Sequence, residues 1–379
     1  MKLKSVSYSE NNNPSSWRLE NFELGDINLL VGKNASGKSR SLNVILSLAR
    51  LLSGRLAIIN SGNFEATFEN NGEIFSYVLN ISESKIQKET FSKIAPEKIV
   101  YLIRESSSGK SSILSKQEMI DFQPLSDRLV AATRVDQTNH PFLTPLNEWA
   151  KSLCHFDFSN TMGRNSIVLK TDSPTIVDLA SDTNQVIMVF KAGQEKFPDQ
   201  FKKRVLADFN SIGYELEDIS LNAPVTVKVQ TLVPSQPICL WVNEKGVSTP
   251  IEQMLMSNGM FRALSLAIQI TYSIMEKSSN CILIDDIGEG LDFERSSNLI
   301  DFLLKSVQNT QIQLIMASNE RLVMNKVPLE TWSIIERNGS NCKIHNYKNS
   351  KHKFDNFRFT GLSNFDFFKS DFLNSEEIE

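Results

Sequence analysis

The sequence predicts an α/β protein: a parallel sheet with helices on its faces, an antiparallel β wing and a largely helical insertion. Three observations predict it. Strand-like alternation dominates residues 1–110, strand and helix patterns alternate from residue 235 onward, and an apolar strand at Ile27–Val31 runs into a glycine-bearing loop and then an apolar-faced helix.

Taken in order, MKLKSVSYSE and SWRLENFELGDINLLVG read as short strands, with a polar turn over residues 11–16 between the first two. The helix SLNVILSLARLLSG follows and stops at Gly54. From Arg55 to about Ile103, the segments LAII, NFEATFE, IFSYVLNI and KIVYLI alternate with Gly/Asn turns and predict a meander with one helical interruption near residues 82–92. The signal then changes. SSSGKSSILSK reads as a Ser/Lys-rich loop, while LTPLNEWAKSLCHF and EKFPDQFKKRVLADFNSIG have helical apolar spacing. Strands return at VTVKVQTLV and PICLWVNEKG, followed by the helix QMLMSNGMFRALSLAIQITYSIMEK, the strand CILIDD, the helix ERSSNLIDFLLKSV and the strand QIQLIMAS. The expected division is an N-terminal lobe over 1–110, the insertion over 111–234, a C-terminal lobe over 235–350 and an aromatic, acidic segment over 351–379. There is no internal repeat and no sustained heptad pattern, so a long coiled-coil arm is not expected.

With 379 residues and 41% hydrophobic content the chain can bury a substantial core. Its net charge of -4 argues against a globally basic nucleic-acid binder and leaves room for a local basic face. Cys154, Cys239, Cys281 and Cys342 form no CxxC pair and no ligand cluster with His140, His155, His345 or His352, so ordinary reduced thiols are expected. The first residues lack an apolar signal core, and no stretch approaches the ~20 apolar residues that cross a bilayer. A cytoplasmic location without membrane attachment is the expectation.

Gly32-Lys33-Asn34-Ala35-Ser36-Gly37-Lys38-Ser39 satisfies GxxxxGK[ST], a pattern met by chance in about one chain in a hundred of this length. A strand before it and a helix after it are what phosphate chemistry needs. The loop turns backbone N–H groups inward while the helix N-terminus adds its positive dipole end. Lys38 then reaches the β- and γ-phosphates of a triphosphate, and Ser39 is a magnesium ligand. A plain Gly/Ser connecting turn is the bland alternative.

Cys281-Ile282-Leu283-Ile284-Asp285-Asp286 is an apolar strand ending in paired acids, the placement that holds a metal and polarises water. Asp285 is the metal-side candidate. Asp286 is the first candidate for general base, with Glu289 of the Gly288-Glu289-Gly290 turn as the other. A solvated acidic loop is the alternative.

Met256-Ser257-Asn258-Gly259-Met260-Phe261-Arg262 opens a helix upstream of the acidic strand. The segment resembles the LSxGxxR-type signature of ABC/SMC-like P-loop ATPases, with Met256 in place of the leading Leu. The order of motifs is also the family's: Walker A, insertion, signature, Walker B, then Leu291-Asp292 at the D-loop position. The resemblance covers about residues 1–110 and 235–350 and is nearest to stand-alone members related to RecF and to the overcoming-lysogenisation-defect, AAA-annotated ATPases found in anti-phage defence. It departs at Asp286, where the family commonly has Glu; a carboxylate set back by one methylene predicts slow turnover.

The resemblance implies an ATPase using ATP and Mg²⁺, with Gly32 to Ser39 and Arg40 around the nucleotide. It also implies a homodimer or higher oligomer in which Ser257 and Gly259 cap the γ-phosphate held by the opposite subunit; a helix N-cap without ligand is the plain alternative. Asn319 stands nearest the family's switch histidine. Gln123 is a candidate glutamine-loop residue near the metal, with an ordinary turn before Pro124 as the alternative. Trp17-Arg18 could stack on adenine, against core packing for Trp17. Without membrane segments or arms, the implied role is control of a separate effector, a nuclease or toxin. A RecF-like DNA clamp and a nucleotide-bound scaffold with negligible hydrolysis are the alternatives. Phe354, Phe357, Phe359, Phe365, Phe367, Phe368 and Phe372 either dock that effector or pack on their own domain.

Overall fold

A computed structural model describes residues 1–373 apart from 13–14, 115, 117, 171–172, 229–234 and 278–280. In chain order the elements are β1 (Lys2–Asn12), β2 (Ser15–Glu23), β3 (Ile27–Val31), α1 (Lys38–Leu52), β4 (Gly62–Asn70), β5 (Glu73–Ser82), β6 (Lys85–Ala95), β7 (Ile99–Glu105), β8 (Ser108–Ile113), β9 (Glu118–Phe122), α2 (Val130–Thr133) and α3 (Thr144–Ser152). Next come β10 (Leu153–Asp157), β11 (Val168–Leu169), α4 (Val186–Lys196), α5 (Gln200–Ser211), β12 (Leu216–Asn222), β13 (Pro237–Glu244), β14 (Ile251–Glu252), α6 (Asn258–Glu276), β15 (Cys281–Asp285) and α7 (Phe293–Val307). The chain closes with β16 (Gln313–Ala317), α8 (Arg321–Lys326), β17 (Trp332–Asn338), β18 (Asn341–Asn346), α9 (Lys351–Arg358) and α10 (Asn364–Lys369).

Two compact units result: Met1–Leu153 with Gln313–Asn319 and Pro328–Glu379, and Cys154–Ile312 with Glu320–Val327. The unit boundaries therefore differ from the expected lobes, because β16, β17 and β18 join the N-terminal strands.

In the first unit the strands run in the order β16-β3-β17-β18-β2-β1-β4-β5-β6-β7-β8-β9. β3 is parallel to both β16 and β17, whereas β1, β2 and β4 to β9 form an antiparallel wing. Helix α1 buries the face carrying Leu42, Ile45, Leu48, Ala49 and Leu52, the i, i+3, i+4 stripe of an amphipathic helix.

The wing corrects three expectations. No helix interrupts residues 82–92: β5 and β6 form a hairpin whose turn residues Glu83 and Ser84 both have positive φ, as a tight twisted turn requires. The strand is disguised by Glu89, which is wholly buried and accepts from the amides of Val130 and Ala131 at 2.8 and 2.9 Å and from the Tyr77 hydroxyl at 3.1 Å. The supposed loop at residues 106–116 contains β8, where Gly109 faces Phe122 and leaves its Cβ space to the phenyl ring. The LAII segment at 56–59 is irregular.

In the second unit α6 is buried along most of its length and carries α4 and α5 against it. β10 lies beside β15, with the Phe158 amide donating to the Asp285 carbonyl at 3.0 Å. β13 pairs with β11, β12 and β14. The predicted strand VTVKVQTLV is not one over 225–228, and 229–234 lie outside the described residues. The amides of Val225 and Thr226 donate to the buried Glu252 carboxylate at 2.9 and 3.0 Å instead of to a ladder. The stretch 111–234 is thus mixed, its helices accompanied by β8, β9, β10, β11 and β12.

The C-terminal aromatics fold onto their own unit. Phe354, Phe357 and Phe367 are buried and pack with their ring centroids 4.7 and 4.9 Å apart, and Phe372 lies 5.2 Å from Phe357. Phe359 alone of the predicted set is fully turned outward, at 90% exposure. Trp17 is a core residue, 2% exposed. All of the cysteines are free and buried, and no helix among the described residues is long and apolar enough to cross a membrane.

Candidate nucleotide site

In the first unit the buried strand β3 delivers the chain to Gly32, and two left-handed residues then shape the loop: Ala35 at φ 61° and Gly37 at φ 107°. Gly37 also caps α1, and no acid occupies the first turn of that helix, so nothing there opposes an anion. Gly32 admits no side chain, since a Cβ would lie 2.5 Å from both Ile335 Cγ2 and Ser36 Oγ. The Ser36 amide donates to the Lys33 carbonyl at 3.1 Å, closing a tight turn.

Lys38 is 6% exposed, and its Nζ donates to the carbonyls of Gly32 at 2.9 Å and Lys33 at 3.4 Å. The ammonium therefore sits inside the curl of its own loop. Ser36 Oγ is buried with no hydrogen-bond partner among the described residues, a polar atom the fold alone leaves unsatisfied. Ser39 and Arg40 are exposed at the start of α1. Arg40 is held by Glu10 at 3.0 Å and lies 4.5 Å over the Trp17 ring. The buried indole thus faces a guanidinium.

The hairpin of β17 and β18 braces this loop. Arg337 Nη1 donates to the Ala35 carbonyl at 3.2 Å and Cys342 Sγ to the Ser36 carbonyl at 3.4 Å. Burial pushes the Cys342 thiol up from its ordinary pKa, so it stays protonated and remains a donor. Asn319, just past β16, donates from Nδ2 to Asn34 Oδ1 at 2.7 Å, which brings one predicted residue onto the loop. Gln123 is not brought there. It is exposed immediately after β9, the strand at the opposite end of this unit's sheet from β16.

In the second unit β15 is wholly apolar and buried until Asp285, itself only 6% exposed. Asp285 Oδ1 accepts the Asp286 amide at 3.1 Å. Asp286 turns the chain with φ 50°, and the Glu289 amide donates back to the Asp286 carbonyl at 3.2 Å. Asp286 is half-buried and Glu289 exposed. Ser257 has extended dihedrals, and its hydroxyl accepts the Met260 amide at 3.2 Å, making it the N-cap of α6. A hydroxyl that accepts still has its proton to donate, so capping does not use up Ser257. Gly259 is packed against the acid turn: a Cβ there would stand 2.3 Å from the Gly290 carbonyl oxygen. Asp292 caps α7, accepting the Arg295 amide at 3.0 Å.

Several organising residues carry no signal in the sequence. Gln253, fully buried, donates to the carbonyls of Arg164 and Ser166 at 2.9 and 2.7 Å and accepts the Leu240 amide at 2.8 Å. Arg164 donates to Asn258 Oδ1 at 2.8 Å and to the Met254 carbonyl at 2.7 Å.

The chain matches no protein-family model, and no curated protein matches it in sequence. Solved structures do match in shape. An Smc head bound to the C-winged helix domain of ScpA superposes with TM-score 0.51 at 11% identity, covering 91% of this chain and 97% of that one. The SMC head domain from Thermotoga maritima gives TM-score 0.45 at 14% identity, over 91% of this chain and 99% of that one. Strands β3, β16 and β17, the antiparallel wing and the helix-rich second unit are the elements of an α/β fold like that of an SMC head.

Proposed function

We propose that the chain is a magnesium-dependent ATPase head that closes as a dimer across two nucleotides and thereby controls a separate effector, a nuclease or toxin, in bacterial anti-phage defence. The observation that carries the ATP reading is the loop between β3 and α1. It has two left-handed residues, a glycine with no space for Cβ, and a buried lysine whose ammonium donates to two carbonyls of that loop. The SMC-head fold supports the same reading.

In this scheme the amides of Lys33 to Ser39 and the end of α1 bind the phosphates, and Lys38 exchanges loop carbonyls for phosphate oxygens. Ser39 and Asp285 would hold magnesium together with phosphate oxygens, and the ion would neutralise charge developing on the transferred phosphoryl group. Asp286 accepts a proton from the attacking water, with Glu289 as the other candidate. Asn319, anchored on Asn34, senses the γ-phosphate as a hydrogen-bonding group that cannot titrate. Ser257 and Gly259 serve the nucleotide of the partner copy. Gln123 has no part in the proposed site.

Control of another protein is supported by the Smc head that is bound to a domain of ScpA, and by the outward Phe359 on the C-terminal segment. The test is ATP hydrolysis and solution mass with ATP and Mg²⁺. Wild type is expected to turn over slowly, Lys38→Ala to be inactive, and Asp286→Asn to accumulate as a nucleotide-bound dimer. If Glu289→Gln accumulates instead, the base is reassigned; if neither does, the dimer proposal is abandoned. ATP-dependent retention on DNA that falls steeply with salt would favour the repair-clamp alternative.

A further inference from the structure

We infer that Arg262 is a positioning residue that clasps three segments of the second unit, the loop after β10, the first turn of α6 and the turn after β15, so that the signature turn and the acid turn move as one block. The inference rests on the reading of these turns given above.

The guanidinium faces main-chain carbonyls on two sides. Nε donates to Asn160 at 3.0 Å, Nη2 to Ser159 at 3.2 Å and Nη1 to Glu289 at 3.3 Å. These acceptors come from loops far apart in sequence, and a planar fork of fixed donors can span them where an ammonium cannot. The loop it grips is itself stiff. Asp157 accepts from the Ser159 amide at 2.9 Å, the Ser159 hydroxyl at 2.6 Å and Asn160 Nδ2 at 2.7 Å, while the next amide, Phe158, bonds the Asp285 carbonyl at 3.0 Å. One end of the grip is therefore fastened to the residue beside the candidate base.

The other end is fastened to the signature turn. Arg262 stands on the second turn of α6, Gly259 leaves no gap to the Gly290 carbonyl, and Arg164 ties the same helix start to Met254 and Asn258. Partly exposed bonds of this kind add little to global stability, yet a displacement of an ångström in a reacting group costs ~10²-fold in rate. A residue whose bonds converge on functional turns and not on the core is expected to affect turnover more than folding.

The experiment is steady-state ATP hydrolysis by the full chain, with melting temperature and hydrogen exchange, for wild type, Arg262→Ala and Arg262→Lys. Arg262→Ala is expected to lower kcat ~10- to 100-fold with KM within about threefold, because the first unit's loop still binds ATP. Arg262→Lys keeps charge and stem but not the fork, and a similar kcat loss with an unchanged melting temperature is expected. Wild-type kcat in both variants, or a kcat loss that only tracks a fall in melting temperature, overturns the inference. Hydrogen exchange decides it without catalysis: amides at 157–160 and 286–290 should speed up together in Arg262→Lys, and unchanged exchange in either segment overturns the clasp. A wild type that never binds ATP would sink the function proposed above and leave the exchange result standing.

Discussion

The loop between β3 and α1 draws its candidate phosphate-binding groups from one short stretch of sequence, braced from outside by Arg337 and Cys342, whereas the turns around α6 and β15 are tied together by side chains that each reach across distant sequence. In the first unit Gly32, Ala35, Gly37 and Lys38 are within a few residues of one another: Ala35 and Gly37 have positive φ, Lys38 donates to two carbonyls of the same loop, and Gly32 is closely approached by Ile335 and Ser36. In the second, Arg262 reaches residues 102 and 103 positions away, and Gln253 reaches 89 and 87. A site built from one short stretch should fail by steric exclusion or loss of a charge, with ATP binding itself weakened. A side-chain-built site should fail by loosening, with binding intact and turnover impaired.

The largest effect expected is at Lys38. Removing its ammonium takes away charge-assisted bonds worth about 1.5–3 kcal/mol, so Lys38→Ala should weaken ATP binding ~10- to 100-fold by calorimetry and abolish hydrolysis. Retained affinity would break the comparison at its first-unit end.

Gly32→Ala comes next. Its methyl must displace Ile335 or Ser36, both 2.5 Å away, and overpacking of this kind costs about 1–3 kcal/mol. Lower melting temperature and weaker ATP binding should appear together. A mutant as stable as wild type would show that the loop is not close-packed.

Gly259→Ala should separate the two properties. The clash with Gly290 pushes the acid turn off α6, so kcat and ATP-dependent dimer formation are expected to fall ~10-fold while ATP affinity of the single chain stays unchanged. Equal losses of affinity and turnover would erase the distinction between the units.

The smallest effect concerns acid stability. Burial pushes the Glu252 carboxyl up, but the Thr226 hydroxyl and the Val225 and Thr226 amides outweigh it and hold the group below its ordinary pKa. A depressed carboxyl contributes stability that is present above the unfolded-state value and is lost as pH falls through the folded one. Glu252→Gln should therefore flatten the acid limb of the stability curve below about pH 4.5 and leave neutral-pH turnover alone. An unchanged acid limb would remove Glu252 from the scaffold.

The same contrast explains what could be read in advance. Gly32 to Ser39 announce themselves because phosphate binding demands fixed residue types at fixed spacing, and β15 with Asp285 because an apolar run ending in acids is equally local. The β6 strand was hidden by Glu89, whose burial depends on amides contributed by Val130 and Ala131. Arg164 and Gln253 were invisible, since most of their partners are main-chain groups, which any residue type supplies. The assignment of Val225 and Thr226 to a strand followed β-propensity, which yielded to Glu252 as a competing acceptor. Gln123 was placed by analogy of order along the chain, and the sheet order sets it past β9.

The central proposal is that the chain binds ATP together with magnesium and that Asp285 is a ligand of that ion. The affinity of wild type and Asp285→Asn for ATP, each measured with and without magnesium, tests it most directly. The account predicts that magnesium tightens ATP binding to wild type, and that Asp285→Asn keeps the magnesium-free affinity but loses that gain. An identical magnesium gain in both proteins, or no ATP binding by wild type under either condition, would contradict it.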